Sequence, residues 1–158
     1  MTLERDEISV GDIAVAVDRT YNAPPETVFA ALADYTGVRE RILAPEFTDF
    51  RVLDGGVGAG TRISYQLHAT KKRVRQVEAA VSEPVSGQQL LEADTNSTLT
   101  VLWEVAPVAA DRSQVTVRVR WQGATGIGGF FERRFAPAGI QRIYSTELDN
   151  LQGALDKS

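Results

Sequence analysis

The stretch that decides the fold is V-D-R-T-Y-N-A-P-P-E-T-V-F-A-A-L, residues 17–32, in which an alternating segment meets two prolines. Apolar and polar side chains alternate up to Tyr21, which is the period of a half-buried strand. Pro25 suits the first turn of a helix, and Glu26 adds a carboxylate near the positive end of that helix. We therefore predict a first strand over Ile8–Tyr21 and, directly after it, a helix over Pro25–Ala33.

After this strand-to-helix transition, apolar and polar residues alternate in short, regular segments of the chain. A second short helix is predicted over Tyr35–Leu43, and Pro45 ends it. Beyond it, turns rich in Gly, Pro, Asp and Asn separate six alternating segments, which is typical of consecutive antiparallel hairpins. The six predicted strands are Phe47–Leu53, Thr61–Thr70, Lys72–Val81, Gln89–Ala93, Thr98–Val105 and Gln114–Gln122.

The C-terminal part of the chain has the pattern of a long amphipathic helix. Apolar side chains recur every three or four residues from Ile140 to Leu155, while Pro137 and Gly139 are expected to kink or divide the helix. One long helix facing one antiparallel sheet is an α+β architecture. The two short helices would then close one end of a space between the sheet and the long helix.

The composition excludes several kinds of site. The chain has no cysteine, so disulfides, thiolate nucleophiles and cysteine metal sites are ruled out. Its only histidine, His68, excludes a His₂ or His₃ zinc site within one chain, and no calcium-loop motif is present. We expect no metal and no cofactor. The net charge of −4 argues against a nucleic-acid partner.

The first residues and the lengths of the apolar runs indicate the cellular location of the protein. The first residues are charged and lack the apolar core of a signal peptide. No apolar run approaches the roughly 20 residues that cross a bilayer. We therefore expect a cytoplasmic protein without a transmembrane segment, forming a single domain over residues 1–158.

The apolar strand residues keep one parity, which predicts a sheet with one buried and one wet face. The buried face is either simply core, or it forms the wall of a ligand pocket beneath a curved sheet and one helix. On the second interpretation, the cavity wall is formed by Tyr65, Leu67, Val101, Trp103, Val119, Trp121, Phe130, Phe131, Ile140 and Tyr144. Polar side chains near the predicted wall or mouth are Tyr21, Asp34, Glu104 and Arg120.

Three segments in this order carry a family resemblance. They are T-Y-N-A-P-P-E-T-V-F-A-A-L-A-D (20–34), G-V-G-A-G-T-R-I (56–63) and D-R-S-Q-V-T-V-R-V (111–119). Together they resemble the START-like or SRPBCC superfamily, which includes polyketide cyclases/dehydrases, lipid transport proteins and the birch-pollen-allergen fold. The resemblance implies a helix-grip fold, in which a seven-stranded antiparallel sheet wraps a long C-terminal helix around a hydrophobic cavity. It transfers no catalytic residue to this sequence.

The first functional hypothesis is binding or transport of a hydrophobic, lipid- or polyketide-like small molecule in that cavity. An alternative is an enzyme of polyketide cyclase or dehydratase type, which requires an inward acid or base. A second alternative is a module that binds a protein or a ribosome. The sequence leaves the ligand, the oligomeric state and any catalysed reaction open.

Three polar or glycine-rich motifs are weaker candidates. The glycines of residues 55–60 lead into a strand, so the loop has no helix N-terminus with which to hold a phosphate. Residues 123–129 precede the long helix; they form either a mobile strand-to-helix connection or a gate to the pocket, with Phe130 and Phe131 as its lid. The basic run at residues 71–75 is either a solvated face or a site that attracts an anionic membrane surface or nucleic acid.

Overall fold

A computed structural model describes residues 12–70, 73–122 and 126–157. These parts contain seven antiparallel strands and three helices. Side chains at 69, 70, 73 and 126–136 are outside that description. The strands are β1 (Asp12–Tyr21), β2 (Phe47–Asp54), β3 (Arg62–Thr70), β4 (Arg73–Ser82), β5 (Gln89–Asp94), β6 (Thr100–Ala109) and β7 (Arg112–Gln122). The helices are α1 (Pro25–Ala33), α2 (Val38–Arg41) and α3 (Gly126–Asp156). The predicted α+β helix-grip architecture is confirmed.

The sheet has the order β1-β7-β6-β5-β4-β3-β2. Consecutive strands from β2 to β7 pair as hairpins, and β1 closes the order by pairing with β7, with Val15 opposite Val119. This is the arrangement expected when short turns separate alternating strands. The edge strand β2 is irregular, because its register with β3 shifts between Thr48 and Arg51.

The two prolines, Pro24 and Pro25, determine where the chain leaves β1 and begins α1. Pro24 is extended, with φ −61° and ψ 149°, and Pro25 begins the helix as predicted. The carbonyl of Pro24 accepts a hydrogen bond from the Val28 amide at 3.1 Å, which closes the first turn. Val28 and Leu32 then point into the core without exposed surface.

The second short helix is shorter than predicted. Only residues 38–41 are helical, against a prediction of 35–43. The Asp34 carboxylate accepts hydrogen bonds from the amides of Gly37 (3.1 Å) and Val38 (3.2 Å), so the chain turns before the helix starts. This cap leaves Tyr35 outside the helix, in an irregular segment.

The long helix α3 packs against β1 and β3. It is one continuous helix through Pro137, so the division expected there does not occur. Its buried stripe includes Ile140, Ile143, Tyr144, Leu148 and Leu151. The Tyr21 hydroxyl donates a hydrogen bond to the Leu148 carbonyl at 2.7 Å, which ties the end of β1 to this helix.

Candidate functional site

The predicted wall residues whose side chains are described all lie on the buried face of the sheet or helix. Tyr65, Leu67, Val101, Trp103, Val119, Trp121, Ile140 and Tyr144 are each buried. Phe130 and Phe131 belong to the part of α3 whose side chains lie outside the described residues. Burial is consistent with core and with pocket wall alike, so contact between these residues and a ligand stays a prediction.

Aromatic rings join the sheet to the helix at the centre of this face. The rings of Trp103 and Tyr144 have centroids 5.9 Å apart and meet edge to face. Phe47 contacts both Tyr65, at 5.1 Å, and Tyr144, at 5.9 Å. These are ordinary packing distances for aromatic pairs. The sheet and the helix therefore touch directly at Tyr144, and a ligand would lie beside this contact and not between its rings.

Next to the aromatic rings lies a group of buried polar residues that we call the interior polar cluster: Tyr35, Arg39, Glu92 and Glu147. Arg39 projects from α2, Glu92 from β5 and Glu147 from α3, and Tyr35 precedes α2. Each is at most 5% exposed. Three different elements thus bring charged or ionisable groups to one place in an otherwise apolar interior.

An ion pair forms the centre of the interior polar cluster. Arg39 Nη2 donates to Glu92 Oε2 at 2.7 Å, and both side chains are almost fully buried. Arg39 Nη1 donates to the carbonyl of Leu32 at 3.1 Å, at the end of α1. Burial on its own lowers the pKa of Arg39, but the neighbouring Glu92 carboxylate raises it above its usual value. The guanidinium therefore stays charged.

Arg39 is also held between aromatic faces. Its guanidinium carbon lies 4.6 Å from the ring centroid of Tyr35 and 4.3 Å from that of Trp103, within the range of cation–π attraction. Two buried donors at this stack have no hydrogen-bond partner, namely Arg39 Nε and Trp103 Nε1. A buried donor without an acceptor costs roughly 1–3 kcal/mol, so an oxygen-bearing molecule at this point would gain from them.

Tyr35 completes the hydrogen bonding of Glu92. Its hydroxyl donates to Glu92 Oε2 at 2.7 Å. Burial, followed by the charge of Glu92, raises the pKa of Tyr35 well above its usual value, so the phenol keeps its proton. Glu92 therefore accepts bonds from a guanidinium and from a phenol.

Glu147 is the acidic member of the cluster on the helix side. Its carboxylate oxygen Oε2 accepts the amide hydrogen of Ala44 at 3.1 Å. Burial raises the pKa of Glu147 to about 8, although Arg39 and the Ala44 amide act in the opposite direction. Glu147 also adds to the elevation of the pKa values of Tyr65 and Tyr144, which burial mainly causes. At neutral pH, Glu147 is therefore a protonated acid beside two phenols.

A glycine-rich turn fixes the segment that carries Tyr35 and Arg39. The Tyr35 amide donates to the Gly56 carbonyl, and the Gly58 amide donates to the Ala33 carbonyl, both at 3.0 Å. Gly58 has φ +59°, and a Cβ there would lie 2.5 Å from Glu83 Oε2. The sequence argued against a phosphate-binding role for this turn. In the structure, the turn supports the site through its backbone hydrogen bonds.

The other polar candidates have structural roles. Tyr21 binds the helix backbone and Asp34 caps α2, as described above. Glu104 pairs with Arg118 at 2.7 Å on the outer face, in agreement with its predicted outward parity. His68 lies on the same outer face, half-buried, with Nε2 at 3.0 Å from Thr48 Oγ1.

Two predicted motifs fall largely outside the described residues. The lid prediction concerns residues 123–125, which are not described, and Phe130 and Phe131, whose side chains are not described. Lys71 and Lys72 of the basic run are likewise not described, and Arg75 donates to Ser97 Oγ at 3.3 Å. Both interpretations stay predictions.

Two hollows open on the surface of the described parts. One of about 380 Å³ is bordered by Asp12, Thr98, Arg120, Trp121 and Gln122. Another of about 290 Å³ lies between α1, α2 and the end of α3. Neither is bordered by a residue of the interior polar cluster. In the described parts of the chain, no helix is long and apolar enough to cross a bilayer, and no group of three or more acidic or histidine side chains is placed to hold a metal.

A curved antiparallel sheet around a C-terminal helix defines the helix-grip class of proteins. The chain belongs to the polyketide cyclase / dehydrase and lipid transport family, whose sequence model matches residues 12–156. The suspected family is thereby confirmed. Family membership supports a ligand-binding or cyclase-like role. No protein with curated annotation matches the chain significantly.

Solved structures of similar proteins agree with this assignment. The KanY protein is 40% identical, with a TM-score of 0.82, over 92% of this chain and 99% of that one. The Zhui aromatase/cyclase from Streptomyces sp. R1128 is 16% identical, with a TM-score of 0.72, over 92% of this chain and 94% of that one. A START superfamily protein from Mycobacterium smegmatis is 12% identical, with a TM-score of 0.68, over 91% and 97%. The last two show likeness of fold alone.

Sequence reasoning missed the interior polar cluster. Two of its members did leave a signal in the sequence. Glu92 has the same strand parity as the buried Leu90, and Glu147 lies four residues from both Ile143 and Leu151 on the helix stripe. A lone acid within an apolar stripe indicates a buried acid, because the pattern leaves it no wet face.

Proposed function

We propose that the protein binds a hydrophobic small molecule in its interior, with the apolar part against the sheet and a polar group at the interior polar cluster. The observation that carries the proposal is the pair of buried donors without acceptors, Arg39 Nε and Trp103 Nε1, at the edge of an apolar and aromatic face. An apolar lining with a few convergent polar groups is typical of small-molecule sites.

The energy of such binding is adequate. A ligand that buries roughly 400 Å² of apolar surface gains about 10 kcal/mol at about 25 cal/mol per Å². Ordering of the ligand and of side chains subtracts several kcal/mol. The remainder of a few kcal/mol corresponds to a Kd between about millimolar and micromolar.

Fluorescence of Trp103 tests the proposal. Trp121→Phe leaves Trp103 as the only tryptophan of the chain. Titration with 2-naphthol and decan-1-ol should change the emission of Trp103 in a saturable way and raise the melting temperature. Trp103→Phe removes one of the two proposed donors, so both compounds should bind this variant more weakly than the wild type in calorimetry. Absence of saturable binding by either compound, in fluorescence and calorimetry of the wild type, would overturn the proposal.

One observation favours a cyclase- or dehydratase-type activity as a second candidate. Glu147 is a buried acid with a pKa of about 8, near the pH at which a general acid or base works best. It lies close enough to Tyr65 and Tyr144 to influence their ionisation. Turnover of a poly-β-keto thioester that Glu147→Gln abolishes in a folded protein would support catalysis. Turnover unaffected by Glu147→Gln would exclude Glu147 as the acid.

A further inference from the structure

The guanidinium of Arg39 is already paired with a carboxylate without a ligand. Among the described residues, Arg39 is the only buried basic side chain, whereas Glu92, Asp94 and Glu147 are buried acids. The charge of Arg39 is matched by Glu92 at 2.7 Å. A second anion at this guanidinium would add negative charge where buried acids already outnumber buried bases, which is costly in a medium of low dielectric constant.

The other two buried acids, Asp94 and Glu147, do not provide a partner for a bound anion. Asp94 accepts hydrogen bonds from Ser97 Oγ at 2.6 Å and from the amides of Glu78 and Asn96, all within the β4–β5–β6 region. Glu147 is bound to the Ala44 amide on the helix side. Neither side chain can carry a positive charge, so neither offers a carboxylate or a phosphate an ion-pair partner.

The free hydrogen-bonding capacity, in contrast, suits a neutral oxygen. Arg39 Nε and Trp103 Nε1 are donors without acceptors, and a carbonyl, ether or hydroxyl oxygen satisfies such donors without adding charge. The apolar residues around them, among them Val101 beside Glu92 in the sheet, fit the hydrocarbon part of the same molecule.

From these contacts we propose that the interior selects an uncharged ligand carrying a carbonyl or hydroxyl oxygen and rejects the matching carboxylate. This inference rests on the proposed function, because it specifies the chemical class of the ligand in that site. Free fatty acids and other carboxylates are then poor ligands, whereas ketones, phenols and alcohols of the same size are good ones.

Matched pairs of ligands test the inference on the wild-type protein. Binding of 2-naphthol against 2-naphthoate, and of decan-1-ol against decanoate, is measured by calorimetry at pH 7. We expect the neutral member of each pair to bind at least about tenfold more tightly. Equal or tighter binding of the carboxylates would overturn the inference and leave the proposed function intact. Failure of all four compounds to bind would overturn the proposed function itself.

Removing the counter-ion of Arg39 gives a sharper test of the inference. Glu92→Gln retains the shape of the side chain but leaves the charge of Arg39 without its counter-ion. The preference should then move toward decanoate by about tenfold or more, because the ligand carboxylate replaces the missing one. Glu104→Gln is the matched control, since Glu104 forms a similar pair with Arg118 on the outer face, and it should leave the preference unchanged.

Stability measurements keep this test decisive if Glu92→Gln folds poorly. Decanoate should then raise the melting temperature of the variant more than decan-1-ol does, and the order should be opposite in the wild type. A variant that both compounds stabilise in the wild-type order would contradict the inference. The wild-type comparison stands independently of the variant.

Discussion

Glu147→Gln tests the protonation state of the buried acid on α3. Burial raises the pKa of Glu147 to about 8, compared with 4.5 for an ordinary glutamate. Glutamine has nearly the same size and can still accept the Ala44 amide hydrogen, which glutamate binds at 3.1 Å. The substitution therefore removes the ability to ionise and keeps the contact.

The expected magnitude follows from the two pKa values. A carboxyl group whose pKa is higher in the folded protein binds its proton more tightly there, so its contribution to stability is complete below pH 4.5 and declines until about pH 8. Each pH unit in that window costs about 1.4 kcal/mol. At pH 7 the wild type has thus lost about 3 kcal/mol relative to pH 4. The glutamine variant has no such loss, so its stability relative to the wild type should increase with pH.

Urea denaturation of both proteins from pH 5 to pH 8 measures this effect. The free energy of unfolding of Glu147→Gln, minus that of the wild type, should increase by about 3–4 kcal/mol across the range. Asp149→Asn, on the exposed side of the same helix, removes a surface partner of Arg19 and should change stability by less than about 1 kcal/mol. A difference between Glu147→Gln and wild type that is independent of pH would show that Glu147 is ionised in the folded protein, and the reasoning from burial would be wrong.

Three further substitutions probe the supports of the site by thermal and urea denaturation, with Arg118→Ala on the outer face as a common control that should cost less than about 1 kcal/mol. Tyr35→Phe removes a hydrogen bond to the Glu92 carboxylate and should cost about 1.5–3 kcal/mol; a cost like that of the control would mean that the phenol contributes nothing to the ion pair. Tyr21→Phe leaves the Leu148 carbonyl without its 2.7 Å donor and should cost about 1–3 kcal/mol, whereas an unchanged midpoint would argue against this tie between β1 and α3. Gly58→Ala meets a left-handed backbone and the Glu83 carboxylate and should cost at least about 1–2 kcal/mol; full stability would show that the turn adapts.

The regular elements could be predicted because their signal is periodic. Alternation in β1, β6 and β7 fixed which side chains face the core, since register on a two-faced sheet is set by that pattern. Pro24 and Pro25 marked the start of α1, because proline fits the first turn of a helix but not its interior. Ile143, Tyr144 and Leu151 marked the buried stripe of α3 by their spacing.

The irregular elements could not be predicted in the same way. A four-residue helix such as α2 has no period to detect, and its start depends on the side chain of Asp34. Burial of Arg39 depends on Glu92, 53 positions away along the chain. Arginine is rarely buried without a partner, and one sequence shows no sign of which acid supplies it. The interior polar cluster is therefore a product of tertiary structure.

The proposed function gives the Arg39–Glu92 pair a role in recognition that stability alone does not require. Desolvation of two buried charges offsets much of their attraction, and apolar side chains of similar volume are often equally or more stabilising in such places. A fold that required only a packed core would gain little from this pair. A protein that binds an oxygen-bearing apolar molecule, however, requires oriented donors in a dry interior, and Glu92 holds the guanidinium of Arg39 against Trp103 with one donor still free. On the proposed function, the same carboxylate that orients the arginine also neutralises it, and we therefore expect the site to favour a neutral oxygen over a carboxylate.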